Sequence, residues 1–263
     1  MADLGVVLAD LETESQELED VVSANLGRWD VVTTPEGWTV AHQIGHLPWT
    51  DRQSVLAATG ADAFNAQIAE FIERADTIVD DEAARFAAAS PAELLSDWRE
   101  GRLGLAEALT AVPDGEKVPW YGPPMSPMSM ASARLMETWA HSHDVFEALG
   151  VEKVPSDRVR HVCHLGVRTF AFAHMMRGER APDVVVRVEL VAPSGELWTW
   201  GPEDATERVA GDAWDFALLA TRRRHRDDVN VRATGAAADH WLDIAQTFAG
   251  GPGNDPKPLA DRA

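Results

Sequence analysis

The chain has 263 residues, 45% hydrophobic and 25% charged, the composition of an ordinary globular protein with room for one large core or two smaller ones. Its 23 Lys+Arg against 43 Asp+Glu give a formal charge of -20, which repels phosphate backbones and anionic lipid and argues against nucleic acid or membrane as partners. One cysteine, Cys163, excludes an internal disulfide or a thiolate cluster, fits a reducing cytosol, and leaves His, Asp and Glu as the possible metal ligands.

The N-terminus carries acids where a signal peptide needs a basic region, and no apolar run approaches the ~18 residues of a membrane span; a cytoplasmic protein is expected. From Leu4 to about Leu26 apolar residues recur at helical spacing (Leu4, Val7, Leu8, Leu11, Leu18), an amphipathic helix. Residues 29–37 read as a loop. A second helix starts at Trp38 or Thr39 and stops near Gly60, with Pro48 expected to kink it close to His46. Shorter helices are expected over 63–78 and 81–89. Ser90, Pro91 and Glu93 form a strong start signal for a helix that ends before Pro113. The proline-rich stretch 118–130 reads as irregular, its end as an interhelix connection. Another helix is expected from Ser132 to Leu149, closed by Gly150.

Beyond Pro155 the pattern changes. A helix over 156–176 leads into the β-branched run VVVRVELVA, the turn PSGE and LWTW, a hairpin signal. Then come ERVAG, a helix from Asp212 to about Arg222, a strand VNVRATG, a helix over 236–248, and a tail from Gly250 rich in Gly and Pro that is expected to fray. The fold class is α+β, with a helical domain over 1–155, a small α+β domain over 156–250 and a flexible tail over 251–263.

The residues with most chemical content are Glu137, His141 and Asp144, which lie four and three apart and so share one stripe of a helix, while His143 points elsewhere. His42 and His46 are likewise four apart on the second helix. Two such helices can converge on one cation inside a bundle. Two His and a carboxylate suit Zn, Ni or Fe(II), and three ligands leave a position open for water or substrate. Spacing does not choose between His42 and His46. Taken singly, each pair is more often a chance pattern than a site; their apolar surroundings (Val40, Ile44, Leu47; Leu135, Met136, Trp139) favour the metal reading, because buried ionisable groups must be paired or coordinated.

GWTVAHQIGHLPW and METWAHSHDVFEALG resemble two motifs of the DinB-like superfamily, specifically its mycothiol-dependent maleylpyruvate isomerase branch. That resemblance implies an N-terminal four-helix up-down bundle followed by a small α+β domain. It implies His46, Glu137 and His141 as ligands of a divalent metal, zinc above nickel or iron, with His42 a structural residue or one that supports the ligands from behind; Asp144, one turn on from His141, would support them likewise or pair with a charge at the helix end. It also implies a functional arginine at the end of a C-terminal helix, where Arg223 takes the place and Arg222 and Arg224 flank it. Mycothiol would be the cosubstrate. A thiol-dependent isomerase or S-transferase acting on a small electrophile is the leading expectation. A metal-dependent hydrolase using His42 or Asp144 as base, and a non-catalytic metal or small-molecule binding protein, are the alternatives. Trp49 and Trp139 are candidate walls of the pocket. His161, His164 and His174 read as hydrogen-bonding residues rather than a second metal site, and Cys163 as a buried filler.

Overall fold

A computed structural model describes residues 3–75, 77–251 and 253–261. The chain divides into two compact units, 1–153 and 154–263.

In the first unit, helix α1 (Leu4–Ala24) begins at the Asp3 N-cap and buries Val7, Leu11, Leu18 and Val22 on one face, the stripe that its apolar spacing dictates. Helix α2 (Val40–Thr59) starts one residue past Thr39 and continues through Pro48. Two short helices follow, α3 (Ala61–Glu73) and α4 (Ile78–Ala87). Helix α5 (Pro91–Ala111) opens with the expected capping box, Ser90 and Glu93 each satisfying the other's backbone N–H.

Helix α6 (Pro127–Leu149) starts five residues before the expected Ser132. Ser126 caps it by accepting from Ser129 N, and Pro127 occupies the first turn, where its missing N–H costs nothing. The end of the proline-rich stretch is therefore a helix start rather than a connection. Gly150 closes α6 in the left-handed region at φ 69°.

Four long helices among the described residues make the bundle: α1 lies against α6, and α2 against α5 and α6. Their core joins Leu18, Val22, Ile44, Leu47, Trp98 and Phe146. Helix α4 closes on α2 at Gly45, where an added Cβ would stand 2.9 Å from Phe86 Cβ and 3.0 Å from Ala83 O. A buried ion pair spans α2 and α6: Arg134, 2% exposed, donates Nε–H to Asp51 Oδ1 at 3.0 Å and a second N–H to Thr50 Oγ1.

The second unit pairs four strands, β1 (Val186–Val191), β2 (Leu197–Trp200), β3 (Glu207–Asp212) and β4 (Val231–Thr234), in the order β2-β1-β3-β4. β1 and β2 are the expected antiparallel hairpin; β3 runs parallel to β1 and antiparallel to β4. The helix expected over 156–176 is two, α7 (Val159–Arg168) and α8 (Phe170–Met176), which break at Thr169. Helices α9 (Ala213–Ala220) and α10 (Ala236–Ile244) complete the unit. Cys163 is buried and donates to Ala213 O at 3.2 Å; burial pushes its thiol up, away from nucleophilic use. Asp255, in the tail, pairs with Arg177 and Arg222.

Candidate metal centre

Helices α2 and α6 bring His46, Glu137 and His141 together. Glu137 Oε2 lies 3.5 Å from His46 Nε2 and 3.2 Å from His141 Nε2, and one donor atom from each residue falls within 4.8 Å of the others. Tetrahedral coordination with bonds of about 2.0–2.2 Å places neighbouring donors about 3.3 Å apart, so the two spacings to Glu137 match the edges of such a site. His46 and His141 are buried, while the Glu137 side chain retains 20% of its exposure and marks the open side.

The hydrogen bonds around His141 fix its charge requirement. Thr33 Oγ1 donates to Trp38 O at 2.9 Å, so it accepts from Gln43 Nε2 at 2.8 Å. Gln43 Oε1 therefore faces His141 Nδ1, at 2.5 Å, and the ring must donate Nδ1–H to it. This leaves Nε2 aimed at the Glu137 carboxylate. Two lone pairs at 3.2 Å repel, so the pair requires a positive charge there, either a proton on Nε2 or a metal ion between them. The donor set and its spacing fit a borderline divalent cation. A ligating His held by an outer acceptor is the usual construction of such sites.

His46 is held differently. Its Nδ1 is buried with no hydrogen-bond partner among the described residues, and its ring is wedged between Trp38 and Trp49, with centroids 5.6 Å from each. Trp38 also stacks on His141 at 5.8 Å. Burial pushes the Glu137 carboxyl up, but hydrogen bonding with His141 and His46 and the charges of His46 and Arg134 outweigh it and hold Glu137 well below the usual carboxylate range.

The segment before α2 explains itself in these terms. Gly37 turns the chain at φ 79°, Trp38 packs against both ligand rings and donates to Asp80 Oδ1 at 2.8 Å, and Thr39 is the N-cap. His42 is the other half of that cap: its Nδ1 takes the Thr39 backbone N–H at 3.3 Å and lies 2.8 Å from Thr39 Oγ1. Its expected place beside the ligands falls instead to Gln43, three residues before His46 on the same face. Trp49 packs its ring against His46. Trp139 does not wall the ligands: two residues from Glu137, it is turned to the opposite side of α6, is 1% exposed and stacks on His143. Trp38 takes its place. Asp144 is buried one turn beyond His141. Arg223 belongs to the second unit, where its Nη1 donates to Thr221 O at 2.7 Å.

A helical bundle that presents two histidines and one carboxylate from two helices defines a class of three-ligand, metal-capable proteins. Comparison with known proteins narrows it. The family model described as mycothiol maleylpyruvate isomerase N-terminal domain matches residues 11–146, more than half of the chain, and the chain belongs to that family. A second model, described as wyosine base formation, matches residues 182–234, the four-stranded sheet. An uncharacterized protein of Mycobacterium tuberculosis, in strains CDC 1551/Oshkosh and H37Rv, is 50% identical over 254 residues, covering 96% of this chain and 99% of the relative. The crystal structure of a mycothiol-dependent maleylpyruvate isomerase superposes with a TM-score of 0.60 at 16% identity, over 88% of this chain and 93% of that one; a histidine-to-alanine mutant of it gives 0.61. The α+β fold is thus shared with that enzyme. No helix among the described residues is long and apolar enough to cross a membrane.

Proposed function

We propose that this protein is a divalent-metal enzyme, with zinc as its ion, that uses mycothiol for isomerisation or S-transfer on a small carboxylate-bearing electrophile. The observation that carries this reading is the locked tautomer of His141, which turns Nε2 toward Glu137 and, with His46, forms a three-donor cluster that calls for a cation. The bound ion would supply one thing: a thiol whose pKa starts near ~8.5 would be held as thiolate at neutral pH.

The chain's own residues do the rest. Gln43 orients His141, Trp38 and Trp49 hold His46 and keep water from its ring, and the exposed edge of Glu137 leaves the approach open. For isomerisation, the thiolate adds to a carbon of an activated double bond and the π electrons move onto the conjugated carbonyl. The resulting single bond rotates, and elimination restores the double bond and returns the thiolate. Arg223 is assigned to clamp the substrate carboxylate by a bidentate pair. The capping role of His42 Nδ1 disfavours it as the base of a hydrolase.

The test begins with metal analysis of protein purified without chelator, beside His141→Ala and Glu137→Gln. Near-stoichiometric zinc lost in both variants, followed by conversion of maleylpyruvate only when mycothiol is present, is the expected result. Equal, negligible metal in all three proteins overturns the metal reading. Metal without thiol-dependent turnover of any offered electrophile overturns the catalytic one.

A further inference from the structure

We propose that His174, Glu179 and His240, in the second unit, form a further binding site for a divalent transition metal, separate from the bundle centre. One donor atom from each of the three lies within 4.8 Å of the others. The local backbone is built to bring two of them together. Gly178, at φ 72°, closes α8 with its N–H on Met175 O at 3.0 Å, while the Glu179 N–H reaches back to His174 O at 2.9 Å. These are the two bonds of a Schellman turn, which only a left-handed residue such as glycine makes cheaply. The turn sets Glu179 beside His174 although four residues lie between them. Helix α10, packed against α8, supplies His240.

The state of His174 points to a ligand. The residue is 2% exposed, and its Nδ1 lies 2.9 Å from Phe170 O. A carbonyl only accepts, so Nδ1 carries the proton and Nε2 bears the lone pair. That Nε2 is buried with no hydrogen-bond partner among the described residues. A buried imidazole acceptor left without a donor is desolvated with nothing in return, and coordination recovers that loss. The ring is fixed by Phe170 at 4.7 Å and meets His240 edge-on at 5.6 Å, so the nitrogen is preorganised.

The other two donors lie on exposed side chains, where an approaching ion can reach them. His240 Nε2 and Glu179 Oε2 now share a hydrogen bond of 2.6 Å, on side chains 45% and 41% exposed. A metal replaces that bridging proton, and the pair opens by about 0.7 Å to reach the ~3.3 Å edge of a coordination tetrahedron. Arg177, whose charge reaches Glu179, is itself paired with Asp255 at 2.6 Å, which reduces its repulsion of an incoming cation. Two imidazoles and one carboxylate select Zn, Ni or Cu(II) over Mg or Ca. The exposure of two ligands makes this the weaker of the two centres.

The experiment is a Zn²⁺ titration of the metal-stripped full chain against a chromophoric competitor, with His240→Ala, Glu179→Gln and His141→Ala in parallel. Both of the first two substitutions fall on exposed side chains and leave the core intact. Two binding events are expected in the wild type. The weaker is lost, or weakened at least tenfold, in His240→Ala and in Glu179→Gln, and survives in His141→Ala. Survival of the His240-sensitive event when the His141-sensitive one is absent would leave this site standing and the bundle centre refuted. A wild-type titration with no event sensitive to both His240→Ala and Glu179→Gln at zinc concentrations up to the order of 100 µM overturns the proposal.

Discussion

Replacing Gln43 by leucine separates the role of the His141 anchor from the role of the ligands themselves. Gln43 is 0% exposed and leucine is close to it in volume, so the core remains packed. What disappears is the acceptor 2.5 Å from His141 Nδ1, together with the N–H that Gln43 donates to Thr33 Oγ1. The metal-free protein has an escape: His141 shifts its proton to Nε2 and donates it to Glu137 Oε2, already 3.2 Å away. That hydrogen bond must be broken, and the Nδ1–H left unsatisfied, before a metal can bind. Losing an outer partner of this kind weakens metal affinity about 10–100-fold, or about 1.4–2.7 kcal/mol. Competitive zinc titration reads the change, and Gln43→Glu, which restores an acceptor to Nδ1–H, is expected to recover most of it. Zinc affinity in Gln43→Leu within about twofold of wild type, inside the scatter of such measurements, refutes the tautomer argument.

Two further predictions follow from packing and titration. Gly45→Ala drives a Cβ to 3.2 Å or less from Phe86 Cβ, Ala83 O and Ala87 N; because two of these are backbone atoms, a loss of about 1–3 kcal/mol is expected in urea unfolding followed by tryptophan fluorescence. A loss below about 0.5 kcal/mol would show that α4 is free to move off α2. Tyr121, the single tyrosine of the chain, has its phenol pushed up to about 12 by burial and then by the charge of Glu82. A raised acid favours the folded state while it stays protonated, so this contribution is fully present below the unfolded value near ~10 and is lost as pH rises through the folded one. Ultraviolet difference absorbance of the phenolate checks it, and ionisation near ~10 in the folded protein contradicts the burial.

Much of the architecture was legible because its signals are local. The Ser90–Glu93 box, the Gly150 stop and the PSGE hairpin each depend on a few adjacent residues, and each stands where the spacing put it. The start of α6 was misread because prolines that break a helix interior are welcome in its first turn, and Ser126-Pro127 is such a start. At the site, the three donors share helix faces and were visible as a pattern, with the family resemblance needed to choose His46 over His42. Gln43 was not visible: a neutral amide carries no motif, and its importance lies in a chain of hydrogen bonds through Thr33 that only tertiary structure closes. Trp38 was missed for a similar reason, since it precedes its helix and reaches the ligand rings through the turn at Gly37. The His174 cluster gathers residues up to 66 positions apart through a turn whose geometry rests on Gly178.

The Arg134–Asp51 pair ties α2 directly to α6, the two helices that carry all three donors of the bundle centre. Burial pushes the Asp51 carboxyl up against the pull of Arg134, and removing either partner alone would strand a charge in the core. The register of the two helices that bring the candidate donors together is thereby pinned by a contact inside the bundle, alongside the packing of α4 on α2. One buried contact, remote from solvent, therefore sets how far apart the two helices hold their candidate donors.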